Sequence, residues 1–90
     1  MWYVYVLYSL KDGGFYIGCT NDLRKRIKEH NIGKVESTKN RRPLKLIYYE
    51  ACLNRIDAFK REKYLKNGYG RRTLKRRLKY GLIDLTRKAA

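Results

Sequence analysis

Acidic residues are scarce in this 90-residue chain: eight Asp and Glu stand against 23 Lys and Arg, a formal net charge of +15. Self-repulsion on that scale works against compaction and is tolerated where the partner is a polyanion. Nucleic acid is the leading class of partner. An anionic membrane surface is the competitor, but no amphipathic stretch carries Trp or Phe along its apolar edge to support it. Cysteine is equally sparse. Cys19 and Cys52 stand alone, without C-x-x-C spacing, which argues against a structural zinc site and for buried, reduced thiols. Long hydrophobic runs are missing too: the longest, Trp2 to Tyr8, is far too short to span a bilayer. The N-terminus enters that run at once, with no basic n-region and no small-residue cleavage pattern, so a cytoplasmic location is expected.

What is present suits one folded domain. The apolar fraction, 43%, is ordinary for a globular protein, and the length suffices for a single core. Trp2–Ser9, rich in β-branched and aromatic residues, reads as a strand buried on both faces. Lys11-Asp12-Gly13-Gly14 reads as a hairpin turn, with Phe15–Cys19 returning. Thr20, Asn21 or Asp22 can cap a following helix, which places Leu23, Arg26, Ile27 and His30 on one face and ends near Gly33. A polar loop over 34–43 leads to a third strand, Leu44–Glu50. Asn54, with Asp57 three residues on, opens a second helix that runs to about Asn67-Gly68. A third helix is expected over Arg71–Tyr80, stopped by Gly81. The order ββαβαα predicts an α+β domain over 1–82, a small three-stranded antiparallel or mixed sheet flanked by helices, with 83–90 as a tail.

Two helices carry residues that the helical period does not explain. In the second, Glu62 shares a stripe with Ala58, Phe59 and Leu65, so a carboxylate sits where an apolar residue is expected. Burying it requires a partner, either a nearby Lys or Arg or a divalent cation. In the first, Arg26 and His30 share the apolar face. Arg26 can snorkel over the core, and His30 can end the helix where a positive charge suits the dipole.

The ordered series of motifs resembles the GIY-YIG nuclease domain, in the small stand-alone group related to the N-terminal nuclease module of the nucleotide-excision-repair endonuclease. The first motif stands as Tyr3-Val4-Tyr5, without its glycine, and the second is intact as Tyr16-Ile17-Gly18. Asp22, Leu23, Arg26, His30, Asn31 and Gly33 match the next pattern; Ile47 to Glu50, then Ala58, Arg61, Glu62, Lys63 and Lys66, match the last. The resemblance covers about residues 2–80 and implies a metal-dependent endonuclease acting on DNA, with a place in repair or recombination. It implies that Glu62 binds one Mg²⁺ or Mn²⁺, Tyr16 activates or orients the attacking water, and Arg26 steadies the phosphate. Tyr5 and His30 complete the hydrogen-bond network. Two departures follow: Cys19 stands where several members carry lysine, and the late asparagine has its nearest match in Asn67, which also reads as a helix cap.

The remaining charge reads as a binding surface. Arg71, Arg72, Lys75, Arg76 and Lys79 surround Leu74 and Leu78 in the third helix, and Lys39, Arg41, Arg42 and Lys45 form a second patch. Tyr64, Tyr69 and Tyr80 lie among them, placed to stack on bases or to pack in the core. One histidine cannot build an HNH site, and no Asp followed by Glu-x-Lys is present. Branched, single-stranded and duplex DNA all stay open as substrates, as does RNA. The second reading is a catalytically silent nucleic-acid-binding module that keeps the fold.

Overall fold

The computed structural model describes residues 1–87. Three antiparallel strands form one sheet in the order β2-β1-β3: β1 Trp2–Ser9, β2 Phe15–Thr20 and β3 Leu44–Cys52. β1 pairs with β2 from Tyr3↔Thr20 to Tyr8↔Phe15, and with β3 from Trp2↔Cys52 to Ser9↔Leu44. The second pairing slips after Val6, where Leu7 faces Leu46 and Ile47 is left as the extra residue of a bulge.

The central position of β1 explains its composition. Alternate side chains leave opposite faces of a strand. Val4 and Val6 enter a core with Phe15, Ile17, Ala58, Leu65 and Leu74. Tyr5 and Leu7 point the other way, to Leu44 and the flanking Tyr16, Leu23, Ile27 and Leu46. α1 (Leu23–Asn31) therefore covers the second face, while α2 (Arg55–Lys66) and α3 (Gly68–Arg77) cover the first.

Local signals set the ends of α1. Asp22 accepts a hydrogen bond from the Lys25 amide at 3.2 Å. At the other end Gly33 has φ +83°, and two bonds close the turn: Gly33 N–H to the His30 carbonyl and Lys34 N–H to the Glu29 carbonyl. A second glycine has a steric role. Gly18 lies opposite Tyr5, and a Cβ there would fall within 2.5 Å of the Tyr5 ring carbon Cζ.

The C-terminal third differs from expectation. α3 starts at Gly68, because the Asn67 side chain accepts from the Gly70 amide at 2.8 Å and caps the helix ahead of Arg71. It breaks at Leu78, and α4 (Lys79–Arg87) follows, with Gly81 inside it. Gly81 does not stop the chain because Leu78, Leu82 and Leu85 continue an apolar stripe past it; Leu78 and Leu82 pack against the core. Of the expected tail, 83–87 belongs to α4, and 88–90 lies outside the described residues. Phe59 also departs from the stripe assigned to it. It is 39% exposed and packs on Trp2 at the surface, beneath the Arg55 guanidinium. The loop is more ordered than its polarity suggests: Val35 and Thr38 are buried, and Lys39–Arg41 forms a short 3₁₀ turn.

Candidate active site

Tyr5 from β1, Tyr16 from β2 and the α1 pair Arg26 and His30 converge on the α1 side of the sheet. The Tyr5–His30, Tyr16–His30 and Tyr5–Tyr16 ring centroids lie 5.6, 5.0 and 6.4 Å apart. The Tyr5 hydroxyl is 2.8 Å from His30 Nε2, and His30 Nδ1 is 2.7 Å from Thr38 Oγ1. Burial, with the nearby Arg26 charge adding to it, pushes His30 down to about 4. His30 is thus neutral at pH 7, which corrects the reading of a positive charge at a helix end. Burial also pushes the Tyr5 phenol up to about 12, so it keeps its proton.

Arg26 is half-buried, and its Nη1 meets Glu29 Oε1 at 3.2 Å, one helical turn away. The Tyr5 hydroxyl is the chief neighbour that raises its affinity for its proton. Beside it opens a cavity of about 370 Å³ whose wall includes Trp2, Thr20, Lys25, Arg26 and Glu29. Tyr16 is half-buried, and among the described residues nothing is hydrogen-bonded to its hydroxyl. The cluster therefore offers a fixed guanidinium for an anion and a phenol free to bind water or substrate.

Glu62 reaches the sheet from α2, on the stripe between Ala58 and Leu65. Its side chain is 19% exposed and pairs with Lys66 at 2.9 Å. It makes no hydrogen bond or ion pair with Arg26, His30 or either tyrosine among the described residues. Its charge is nevertheless felt: it opposes ionisation of Tyr5, and after burial it is the next cause of the raised Cys19 thiol. Cys19 is thus neutral and supplies no charge in place of the family's lysine. Among the described residues no three His, Cys, Asp or Glu side chains gather as a metal site. A single carboxylate does not make a closed zinc site, whereas Mg²⁺ or Mn²⁺, which keep much of their hydration, can be held through one or two carboxylates. Asn67 caps α3 through its side-chain oxygen, in keeping with the helix-cap reading of it.

The basic surface divides into parts. Arg71, Arg72, Lys75, Arg76 and Lys79 are all exposed, but their helices belong to the layer across the sheet from Arg26 and His30. Lys45 is exposed on β3. In the loop, Lys39 pairs with Glu36 at 3.2 Å, and Arg42 Nε donates to the Lys39 carbonyl at 2.7 Å. Arg41 is taken up by Asp12 at 2.7 Å, locking the loop to the hairpin. Tyr69 and Tyr80 are exposed at 65% and 76%, whereas Tyr64 is half-buried against Tyr69. Sequence reasoning misses Glu29, names Lys66 only as a motif match and not as the cation that pairs with Glu62, and misses Thr38. The first two sit at i+3 from Arg26 and i+4 from Glu62, helical spacings that signal a pair; Thr38 leaves no such signal.

Comparison with known proteins fits this arrangement. The protein-family model described as the GIY-YIG catalytic domain matches residues 1–78. The chain is 48% identical over 65 residues to the UPF0213 protein CPE1444 of Clostridium perfringens, covering 71% of this chain and 69% of that one. It is 40% identical over 67 residues to the UPF0213 protein DP2720 of Desulfotalea psychrophila, covering 72% of this chain and 60% of that protein's length. The solution NMR structure of the UPF0213 protein BH0048 from Bacillus halodurans superposes with a TM-score of 0.51 at 35% identity, over 82% of each chain.

Proposed function

The chain belongs to the GIY-YIG catalytic-domain family, and from that premise we propose that it is a metal-dependent endonuclease hydrolysing DNA phosphodiester bonds. The observation that carries this reading is the buried Tyr5–His30 bond, which builds a polar site into a sheet face beside Arg26 and the unengaged Tyr16. A satisfied polar network inside a small core fixes geometry, as a reaction needs and a purely electrostatic binding surface does not.

Each residue then has a task. Arg26, held by Glu29, binds the scissile phosphate with a planar fork and steadies the charge that grows on its oxygens. Tyr16 binds the attacking water and takes or directs its proton. Tyr5, protonated, and His30, neutral, hold the ring cluster in register. Glu62 would hold Mg²⁺ or Mn²⁺, which supplies Lewis-acid stabilisation of the departing oxygen. Lys66 would give way from Glu62 to do so. The exposed α3 cations hold the DNA backbone without reading its sequence. Such an activity suits DNA processing in repair or recombination within the cytoplasm.

One observation favours the second reading, a silent binding module: Glu62 already has a cation, Lys66, at 2.9 Å. Nicking by the wild type separates the two, and Glu62→Gln then tests the metal role. Because the pair is partly exposed, its loss is expected to cost less than about 1 kcal/mol of stability. An endonuclease that loads its metal on Glu62 should then lose Mn²⁺-dependent nicking while melting temperature and DNA affinity hold. Wild-type protein that binds DNA but never nicks it with Mg²⁺ or Mn²⁺ would establish the silent module instead.

A further inference from the structure

Thr38 lies in a segment whose composition is that of a basic loop, yet it is fully buried and touches the site. Its Oγ1 is 2.7 Å from His30 Nδ1, and His30 Nε2 is 2.8 Å from the Tyr5 hydroxyl. All three residues are at most 1% exposed, so water does not complete this chain of bonds. We propose that Thr38 is a positioning residue, whose hydroxyl accepts the Nδ1 proton of His30 and so fixes the tautomer in which Nε2 accepts the Tyr5 proton.

The direction of the bonds follows from donor and acceptor chemistry. A guanidinium can only donate, and a neutral imidazole carries one N–H. The fixed positive charge of Arg26 is felt at the Tyr5 hydroxyl, and a cation favours an oxygen that turns its lone pairs, not its proton, toward it. The Tyr5 proton then goes to Nε2. That leaves the imidazole proton on Nδ1, where Thr38 Oγ1 is the partner. With the opposite tautomer, Nε2–H would take the Tyr5 oxygen as its acceptor, and the Tyr5 proton would lose Nε2 and have to turn toward the positive charge of Arg26.

Thr38 is held firmly enough for the task. Its carbonyl accepts the Arg41 amide at 2.8 Å, and the Arg41 carbonyl accepts the Ser9 hydroxyl of β1 at 2.6 Å. The Arg41 guanidinium binds Asp12 in the hairpin. Segment 38–41 is thus bolted to the strand that carries Tyr5. The consequence for cleavage rests on the nuclease reading; the tautomer does not.

His30 is the chain's only histidine, so nitrogen NMR of the imidazole gives one set of ring signals to interpret. In the wild type Nδ1 should be the protonated nitrogen and Nε2 the bare one. Thr38→Ser, which keeps the hydroxyl, should preserve this pattern and the cleavage rate. Thr38→Val strands a buried N–H and should move the proton to Nε2. The same variant should lower kcat about 10–100-fold, the scale of a lost outer-shell partner, with KM little changed. Wild-type protein with its proton on Nε2 overturns the proposal, as does a folded Thr38→Val protein that keeps it on Nδ1. Should Thr38→Val fail to fold, the wild-type spectrum decides alone. Protein that never cuts DNA but shows the Nδ1–H form would refute the nuclease reading and leave the role of Thr38 standing.

Discussion

One strand serves two interiors. The side chains of β1 that point toward α2 and α3, Val4 and Val6, enter the larger hydrophobic core. Those that point toward α1 include Tyr5, which ends on a histidine and a threonine that are themselves buried. On the first face free energy comes from area removed from water, which is non-directional and forgiving of shape. On the second it depends on every donor finding its acceptor, and among the described residues no buried side-chain polar atom lacks one. The larger apolar core therefore lies on one side of the sheet and the Tyr5–His30–Thr38 network on the other, with Glu62 the one proposed site residue carried by the α2 layer.

The division can be attacked from either side. The largest effect is expected on the apolar face. Leu65→Ala empties a site that is 1% exposed and should cost about 2–5 kcal/mol, read in urea unfolding, while the cleavage rate per folded molecule stays near wild type. A matching fall in that rate would show that the two faces are not separable. Next comes Arg26→Lys, which keeps the charge and loses the planar fork. DNA affinity should change little and single-turnover cleavage should fall by roughly 10²-fold, the scale of one lost transition-state donor. Unchanged turnover would reduce Arg26 to a side chain covering the core.

The last effect is a pH dependence that belongs to the polar face. Unfolded, His30 titrates near its ordinary 6.5; folded, it is held at about 4. The unfolded chain therefore takes up the proton first, and stability present above about 6.5 is lost as the pH falls through 4. About 3 kcal/mol should disappear across that window in denaturant titrations. His30→Gln, which has no titrating ring, should flatten the slope there. A wild-type curve as flat as the variant's would mean that His30 is as easily protonated folded as unfolded.

Helical and strand periods make much of this legible. The face shared by Leu23, Arg26, Ile27 and His30, and the out-of-place Glu62, both stand out because a fixed spacing says where an apolar residue belongs. The family motifs then place the tyrosines. What escapes depends on distance along the chain. Arg41 looks like a free cation until the fold brings Asp12 to it, and Thr38 looks like loop until Val35 and His30 enclose it. Gly81 misleads for a different reason. A glycine costs a helix only about 1 kcal/mol, less than the burial of Leu82 beyond it returns.

The pairing of Gly18 with Tyr5 gives the site a direction in time as well as a shape. A lineage cannot add even one carbon at position 18 while the ring lies over it. The ring must shrink first, and with it goes the hydroxyl that His30 and Arg26 depend on. Once a side chain has then settled at 18, a reversion at position 5 no longer finds its seat. Descendants that lose this tyrosine are expected to lose it for good, through a ratchet of two substitutions in fixed order.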